Sequence, residues 1–354
     1  MKRKLGDLAI IVKSKDSVEK IDRNKYVTTE NMISNRGGVS FPSSTVPKQN
    51  KLDTFDKDDV LVSNIRPYFK KIWKAPFGGY KSGDVLAFRT KDRDILSQEY
   101  LYILLESDRF FEYMTTTAKG TKMPRGDKKA IAEFPFDLPS IDIQKKRSHQ
   151  IEVIEQKISL NQQINANLQK LASTYFQFFL KKIETTNVLL EEVANIKSGG
   201  DKPKDITSKK DSDHLIPIFS NGMTNEGLYG YTKIAKIKEK AITVSARGTI
   251  GYTCLRTEPY FPIVRLISVI PYPKISVYYL YLWLLNTDIQ GFGTTQQQLT
   301  VPVFKKYSVS IPKDLKDMSF FDNHVSVFFE QIQKNKEETK LLKEIKESLL
   351  KKLF

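Results

Sequence analysis

The residues of this sequence best suited to a chemical task are basic and amide side chains in predicted loops. Two such loops lie in the first half, "IRPYFKKIWK" at 65–74 and "KGTKMPRGDKK" at 119–129. Three lie in the second half, "SGGDKPK" at 198–204, "SARGTIG" at 245–251 and "GTTQQQ" at 293–298. Lysine and arginine neutralise phosphates, and the ends of arginine and glutamine pair with guanine and adenine edges respectively. The pattern predicts DNA contacts by Arg66, Lys70, Lys71, Lys74, Lys119, Lys122, Arg125, Lys202, Lys204, Arg247, Thr249, Gln296, Gln297 and Gln298.

No motif in the sequence indicates a catalytic centre. It contains no P-loop, GxSxG elbow or HExxH zinc motif, and none of the Asn-Pro-Pro-Tyr type found in adenine methyltransferases. "EQK" at 155–157 and "ETK" at 338–340 imitate the acid-x-lysine of nucleases, but they fall inside helical patterns. One cysteine and three scattered histidines predict no metal site. We therefore expect a binding protein without catalytic residues, metals or cofactors.

Composition favours two domains and an anionic partner. The chain has 354 residues, of which 57 are lysine or arginine and 41 are acidic, and its net charge is +16. Residues 1–140 hold 26 basic and 19 acidic side chains and residues 185–313 hold 16 and 10, whereas residues 314–354 hold eight of each. Most of the charge that would attract a polyanion such as nucleic acid thus lies in the two larger segments.

Nothing in the sequence predicts export or a membrane span. The apolar run before Lys13 is too short for a secretory signal. The longest apolar run, "YYLYLWLL" at 278–285, is far shorter than the ~20 residues that cross a bilayer. The single cysteine also fits a reducing compartment. We expect a cytoplasmic protein that does not contact membranes.

The sequence contains an internal repeat. Four blocks occur twice in the same order, at offsets that fall from 185 to 173. Apolar blocks that match, with divergent loops between them, indicate two copies of one scaffold, although a duplication without functional meaning is an alternative. The pairs are "KLGDLA" 4–9 with "LLEEVA" 189–194, "DDVLVSNIRP" 58–67 with "KAITVSARG" 240–248, "YLYILLES" 100–107 with "YLYLWLLN" 279–286, and "GTKMPRGDKKAIAEFPFDLP" 120–139 with "GTTQQQLTVPVFKKYSVSIP" 293–312.

Each repeat has the pattern of a mixed α and β body. β-branched runs bounded by charges or glycine are typical of strands, and a serine cap followed by apolar residues at helical spacing is typical of a helix. The predicted strands are "DVLVSNI" 59–65, "DVLAFRT" 84–90, "AITVSA" 241–246 and "IVRLISVI" 263–270, and the predicted helices are "SQEYLYILLESDRFFEYM" 97–114 and "SVYYLYLWLLNT" 276–287.

A long helix follows each repeat. Neither proline nor glycine occurs from Gln144 to about Lys182, where apolar residues recur every three or four positions, and the same pattern runs from Val325 to the end. Narrow apolar seams are typical of coiled coils. Asn161 and Asn335 fall at equivalent seam positions, where a buried asparagine fixes register, or at solvated edge positions. The predicted pairing residues are Ile151, Ile154, Ile158, Asn161, Leu168, Leu171, Phe328, Ile332, Asn335, Leu342, Ile345 and Leu349.

Connectivity predicts the direction of the two helices. The first helix carries the chain from the first body to the second, and its repeat equivalent runs back. We therefore expect an antiparallel coiled coil with a pseudo-twofold axis. The predicted fold class is α+β, with two similar mixed α/β domains separated by two long helices. The domains are placed at 1–143 and 185–315, and the helices at 144–184 and 316–354.

Several segments together resemble the specificity subunit of type I restriction-modification systems over essentially the whole chain. They are "DKDDVLVSNIRPYFKKIW", "ANIKSGGDKPK", "DLPSIDIQ", "SIPKDLKD" and the terminal "LLKEIKESLLKKLF". One departure is the entry into the second helix, where "IPKDLKDMSFFDNHV" is looser than "LPSIDIQKKRSHQI" in the first copy.

The resemblance implies a function and a set of partners. The domains at 1–143 and 185–315 would be target recognition domains, each reading one half of a split double-stranded DNA site, with the helical regions as spacers. Two adenine-N6 methyltransferase subunits would dock on the helices, and restriction/translocase subunits would join for cleavage. Methylation of a flipped adenine would be the chemistry of these partners.

Two other functions fit the same residues. One is a free-standing sequence-specific DNA-binding regulator that recruits no enzyme. The other is a scaffold whose basic domains bind RNA. Assembly with an adenine methyltransferase distinguishes the first from a specificity subunit, and competition by structured RNA distinguishes the second.

Overall fold

The computed structural model describes residues 2–45, 47, 51–291 and 297–354. They form two compact units, each treated by itself below: Met1–Asn161 with Glu337–Phe354, and Gln162–Lys336. Each unit is larger than the domain predicted from the sequence, because it also takes in part of both long helices.

The first unit is built on two four-stranded sheets. One has the strand order β2-β9-β6-β7 and is antiparallel throughout, the other has the order β3-β5-β8-β4, and β1 pairs separately with β10. The elements are β1 (Lys2–Lys4), α1 (Leu5–Leu8), β2 (Ala9–Ile11), β3 (Lys15–Ser17), β4 (Tyr26–Val27), β5 (Lys51–Phe55), β6 (Val60–Ser63), β7 (Ile72–Lys74), β8 (Gly79–Lys81), β9 (Val85–Thr90), α2 (Gln98–Glu106), α3 (Asp108–Thr116), α4 (Lys128–Ala132), β10 (Pro135–Asp137) and the start of α5 (Ile141–Leu180).

The core of the first unit lies between the first sheet and the helices that follow it. Phe88 of β9 packs edge-on against Phe110 of α3, and Tyr100 of α2 is fully buried. The Ser97 hydroxyl caps α2 by accepting the N–H of Tyr100. The single helix predicted at 97–114 is wrong, because Ser107 ends α2 and begins α3. Its hydroxyl donates to the Leu104 carbonyl and accepts the N–H of Phe110.

The second unit repeats this plan. Its sheets have the orders β12-β18-β15-β16 and β14-β13-β17, and β11 pairs separately with β19. Phe176, Tyr279 and Phe321 meet edge-on in its core. The elements are the end of α5, β11 (Thr185–Leu189), α6 (Leu190–Val193), β12 (Ala194–Ser198), β13 (Ile216–Phe219), β14 (Leu228–Thr232), β15 (Ala241–Val244), β16 (Thr253–Arg256), β17 (Phe261–Pro262), β18 (Ile267–Pro271), α7 (Val277–Leu285), α8 (Val301–Lys305), β19 (Ser308–Pro312) and the start of α9 (Leu315–Leu353).

The repeated sequence blocks fall on equivalent elements. The first block forms β1-α1-β2 and β11-α6-β12, the second forms β6 and β15, the third forms α2 and α7, and the last ends in α4-β10 and α8-β19. The sheet orders β2-β9-β6-β7 and β12-β18-β15-β16 correspond strand for strand. The predicted α+β class and internal repeat are confirmed.

In the first unit, α5 and α9 run antiparallel. Lys346 of α9 binds Glu155 of α5, and Glu338, earlier on α9, binds Asn161, later on α5. The Lys346 ammonium also contacts the fully buried Glu106 carboxylate at 2.6 Å. Desolvation opposes its charge, but the two carboxylates outweigh that effect and raise the pKa of Lys346. The pairing predicted for Ile345 is wrong, since this side chain is 41% exposed and its neighbour Lys346 faces inward.

In the second unit the helices are also antiparallel. Asn335 is buried and donates to Asn165 Oδ1 at 2.8 Å. Asn161 is likewise buried in the first unit, so the solvated edge positions considered for both asparagines are wrong.

Leu171 is 50% exposed while the adjacent Ala172 is fully buried, which corrects its predicted place in the seam. Of the other predicted pairing residues, Ile151 is buried, and Ile154, Ile158, Leu168, Phe328, Ile332, Leu342 and Leu349 are half-buried.

Candidate nucleic-acid interface

A tight turn follows β6 in the first unit. Pro67–Phe69 forms a single turn of 3₁₀ helix, bounded by Arg66 at φ 50° and Lys70 at φ 49°. Left-handed backbone is unfavourable for side chains other than glycine, costing about 1–3 kcal/mol a residue, and persists only where the surroundings enforce it. Two non-glycine residues in this conformation therefore require specific contacts.

Backbone hydrogen bonds supply these contacts. The N–H groups of Asn35 and Arg36 donate to the carbonyls of Phe69 and Lys70, both at 2.8 Å. The N–H of Arg66 donates to the Pro124 carbonyl at 2.8 Å, which joins the turn to the loop at 119–125. The two basic loops predicted in the first half of the sequence thus lie side by side. We call residues 65–71 and 119–125 the first loop pair.

Three of the predicted DNA-binding lysines have partners inside the protein. Lys70 shares Asp108 Oδ1 with Arg36, each contact at 2.5 Å. Desolvation works against the ionised carboxylate, but the hydrogen bonds and charges of Lys70 and Arg36 outweigh it and lower the pKa of Asp108 to about 2. The Lys71 ammonium donates to the Thr29 carbonyl at 2.5 Å, and burial lowers the pKa of Lys71.

Lys74 is the third of these lysines. It lies 3.3 Å from Glu99 and 4.0 Å from Asp58. All three are half-buried, so we infer that they hold the loops in place rather than reach phosphates. The sequence could not show this, because Asp108, Thr29 and Glu99 lie 25 or more residues away from the lysines they bind.

Of the remaining predicted cations of the first unit, Lys119, Lys122 and Arg125 are more accessible. Lys119 binds Asp127 at 2.5 Å, and Arg125 binds Asp84 at 3.2 Å, yet both side chains stay largely exposed. Arg66 is half-buried. Lys122 is exposed at the tip of the first loop pair, next to exposed Met123. Exposed ammonium and guanidinium groups of this kind are suited to phosphate contacts.

In the second unit, Asn221 brings together loops that are distant in sequence. Its Oδ1 accepts the N–H of Ala246 at 2.8 Å, and its Nδ2 donates to the Val264 carbonyl at 2.6 Å. Ala246 also accepts the N–H of Leu299 at 3.0 Å. The loop at 245–251 is thereby tied to the segment at 297–299. Sequence reasoning missed Asn221, since a lone asparagine beside glycine is ordinary in loops.

A close backbone approach fixes the loop at 198–204. The N–H of Val264 donates to the Gly200 carbonyl and that of Arg265 to the Gly199 carbonyl. A Cβ on Gly199 would lie 2.8 Å from the Pro262 backbone, so only glycine fits there. Because Asn221 also binds Val264, all three predicted loops of the second unit are connected where described. We call residues 198–204, 245–251 and 297–299 the second loop set.

The second loop set presents cations and amides to solvent. The Arg247 guanidinium donates to Gln298 Oε1 at 2.8 and 3.1 Å, which holds the two side chains side by side. Gln298 is half-buried, Gln296 lies outside the described residues, and Lys202, Lys204, Arg247, Thr249 and Gln297 are exposed.

The arrangement is suited to binding rather than to catalysis. Among the described residues, no histidine, cysteine, aspartate and glutamate side chains form a group of three or more that could hold a metal ion. Within the same part of the chain, no helix has the length and apolar character needed to cross a bilayer. What both loop groups offer is guanidinium, ammonium and amide groups on positioned backbone, the groups that contact phosphates and base edges.

Comparison with known proteins decides the family. A family model described as the type I restriction modification DNA specificity domain matches residues 1–170 and, again, residues 182–347. The chain belongs to this family. The double match agrees with the two structural repeats, and the resemblance inferred from the sequence is confirmed. The chain is thus a DNA-binding specificity subunit of type I restriction-modification, not itself a catalytic one.

Individual relatives agree. A putative type I specificity subunit from Mycoplasma pneumoniae (strain ATCC 29342 / M129 / Subtype 1) is 29% identical over 306 residues, 82% of each chain. A second from the same organism is 36% identical over 132 residues, 37% of this chain and 39% of the relative. The crystal structure of a type I system S subunit from M. genitalium has a similar fold, with a TM-score of 0.58 at 16% identity over 100% of this chain and 96% of the other.

Proposed function

We propose that this specificity subunit reads a bipartite double-stranded DNA target, one half with each unit. The observation that carries the proposal is the equivalent placement of Arg66 and Arg247. Each follows the equivalent strand of its sheet, β6 or β15, and each contacts the loop before α4 or α8, at Pro124 and Gln298 respectively. Two similar readers on one chain suit a target with two separate halves.

We further propose that the chain positions two adenine-N6 methyltransferase subunits, with restriction/translocase subunits joining for cleavage. Support comes from exposed apolar side chains on the long helices. Val153 and Leu171 of α5 are exposed, and so are their repeat equivalents Val327 and Ile345 of α9. Apolar positions that stay exposed at equivalent places in both repeats favour two copies of one protein partner.

The long helices are proposed to set the interval between the half-sites. α5 is one helix of 40 residues with segments in both units, which corresponds to about 60 Å at ~1.5 Å per residue. Half-sites about one helical turn apart, ~34 Å, face the same side of a duplex. A continuous helix is a suitable spacer because its length is fixed by its residue number.

Co-expression with an adenine methyltransferase tests the proposal. We expect a complex with two methyltransferases per chain, and long-read mapping of N6-methyladenine should give a two-part motif with a fixed interval. Substituting Arg247 and Gln298 by alanine should relax one half of the motif, and Arg66→Ala the other. A single contiguous motif, or a chain that binds one site tightly and recruits no methyltransferase, would favour a free-standing regulator. Equal competition by structured RNA would favour an RNA-binding scaffold.

A further inference from the structure

Two aromatic rings stand exposed at the tip of the first loop pair. Tyr68 is 48% exposed and Phe69 38%, and their ring centroids lie 4.8 Å apart. Several other large aromatic side chains of this unit, such as Tyr100, Phe110 and Phe134, are almost fully buried. Tyr68 and Phe69 belong to none of the hydrophobic clusters that the described residues of this unit form, so burial in a core does not explain why both rings occupy this position.

The backbone beneath the rings is held in an unusual conformation. Both residues that flank the 3₁₀ turn, Arg66 and Lys70, are left-handed. Hydrogen bonds from Asn35 and Arg36 and the shared Asp108 contact fix one side of the turn, and the bond from Arg66 to Pro124 fixes the other. A turn constrained from both sides presents its two rings with little loss of freedom on binding, which favours a role in recognition.

The surroundings of the rings favour a nucleic acid as the ligand. Arg66 precedes the turn, and the Lys71 ammonium, although it donates to the Thr29 carbonyl, lies 5.9 Å from the Phe69 ring centroid. Lys122 and Met123 are exposed on the adjoining loop. Aromatic faces next to cations are the usual platform for base stacking, and apolar side chains also insert between base steps.

We infer that Tyr68 and Phe69 form a base-stacking contact between the first unit and its half of the DNA target. This rests on the proposed function, in which the first unit reads DNA. The contact would act on the base faces, whereas the proposed cation and amide contacts act on phosphates and base edges.

The test uses the full chain in complex with its methyltransferase and a duplex carrying the mapped target. Tyr68→Ala and Phe69→Ala should each weaken binding about tenfold, the effect typical of one lost base-aromatic stack. The ring-retaining variants Tyr68→Phe and Phe69→Tyr should stay within about twofold. 2-Aminopurine placed at successive positions of the half-site should change its fluorescence on binding the wild type, and this change should vanish with the alanine variants.

Tyr229→Ala, which removes an exposed ring of the second unit, is the matched control and should leave the 2-aminopurine signal of this half-site unchanged. Thermal unfolding of each variant shows whether the fold is retained. Alanine variants that bind like the wild type would overturn this inference alone, provided the wild type shows a two-part site. Loss of methyltransferase association with unchanged DNA affinity would also overturn it and assign the rings to a protein contact. A wild-type complex without any DNA preference would overturn the proposed function as well.

Discussion

Basic residues of the first unit fall into two groups with different expected effects. Lys122 is exposed, whereas Lys70 of the first loop pair binds Asp108 of α3. We expect Lys122→Ala to weaken binding to all duplexes about equally and to reduce the slope of log K against log salt by about one. Lys70→Ala should instead lower the free energy of unfolding by about 1 kcal/mol, since Asp108 loses a partner in a half-buried site.

Fluorescence anisotropy of a labelled duplex at several salt concentrations measures the effect of Lys122→Ala on binding. Unfolding by urea measures the effect of Lys70→Ala on stability. Lys129→Ala, at an exposed position on α4, is a control for the loss of one surface charge from the same unit. If Lys122→Ala kept the wild-type slope of log K against log salt, Lys122 would not contact a phosphate. If Lys70→Ala kept the wild-type free energy of unfolding, its contact with Asp108 would not stabilise the fold.

His214 binds two aspartates in the loop that follows β12 and carries the exposed Lys202 and Lys204. Its Nε2 lies 2.6 Å from Asp205 and its Nδ1 2.9 Å from Asp211. A neutral imidazole has one N–H, so both contacts are hydrogen bonds only in the protonated form. The bonds to Asp205 and then Asp211 raise the pKa of His214.

The raised pKa gives a pH dependence of definite sign. A group whose pKa is higher in the folded state stabilises the fold fully below its unfolded pKa, about 6.5, and loses this effect as the pH rises through the folded pKa. The melting temperatures of wild type and His214→Gln should therefore differ most below about pH 6.5 and converge as the pH rises through the folded pKa of His214. His149→Gln, exposed on α5, is the control. A difference that stays constant with pH would contradict the mechanism.

Asn221 connects the loops of the second loop set through two hydrogen bonds, so its substitution should change how these loops are held. Asn221→Asp keeps an acceptor for the Ala246 N–H but loses the donor to the Val264 carbonyl, while Asn221→Ala loses both. Each lost bond should destabilise the loop arrangement by about 1 kcal/mol. We expect Asn221→Ala to relax one half of the DNA motif and leave the other unchanged, and Asn221→Asp to relax the same half at least as much, because a carboxylate oxygen would then face the Val264 carbonyl oxygen. Selection from a random duplex library measures this, and equal relaxation of both halves would contradict it.

Elements fixed by local pattern could be predicted from the sequence. The strands β6 and β15 lie inside the predicted runs, because their buried residues are contiguous and β-branched. The long helices α5 and α9 were predictable from the sequence because their apolar spacing persists for about 40 residues without proline or glycine. The family resemblance depended on the same repeated blocks.

Features decided by distant partners could not be predicted. Apolar spacing favours Leu171 as a seam residue, yet Leu171 is half exposed and Ala172, about 100° further round the helix, is fully buried. The break at Ser107 depends on one hydroxyl making two bonds. The internal pairing of Lys70 depends on Asp108, which is 38 residues away. For the candidate interface, the loops were therefore predictable but the role of each cation was not.

Each unit needs helix segments from both repeats. Leu350, near the end of α9, lies in the hydrophobic core of the first unit together with Ile151 of α5. In the second unit, Phe176 of α5 and Phe321 of α9 share one core. Changing the length of one helix alone should therefore disturb folding, whereas a matched change in both keeps each local pairing.

A matched insertion tests the proposed spacer role. We expect seven helical residues added after Asn161 and seven after Lys336, where the two units meet in sequence, to lengthen the interval between half-sites and leave their bases unchanged. Seven residues add about 10 Å at ~1.5 Å per residue. This corresponds to about three base pairs at ~3.4 Å each. Mapping N6-methyladenine in cells that carry the variant measures the interval directly.

The control is the same insertion in α5 alone, which should lower the melting temperature because it shifts α5 against α9 by two turns. A single insertion cannot keep both the Asn161 contact with Glu338 and the Asn335 contact with Asn165 unless the helices bulge. If the matched variant recognised different bases, the long helices would affect base recognition as well as spacing, which would contradict the proposal. If it kept the original interval, the helices would not set the spacing.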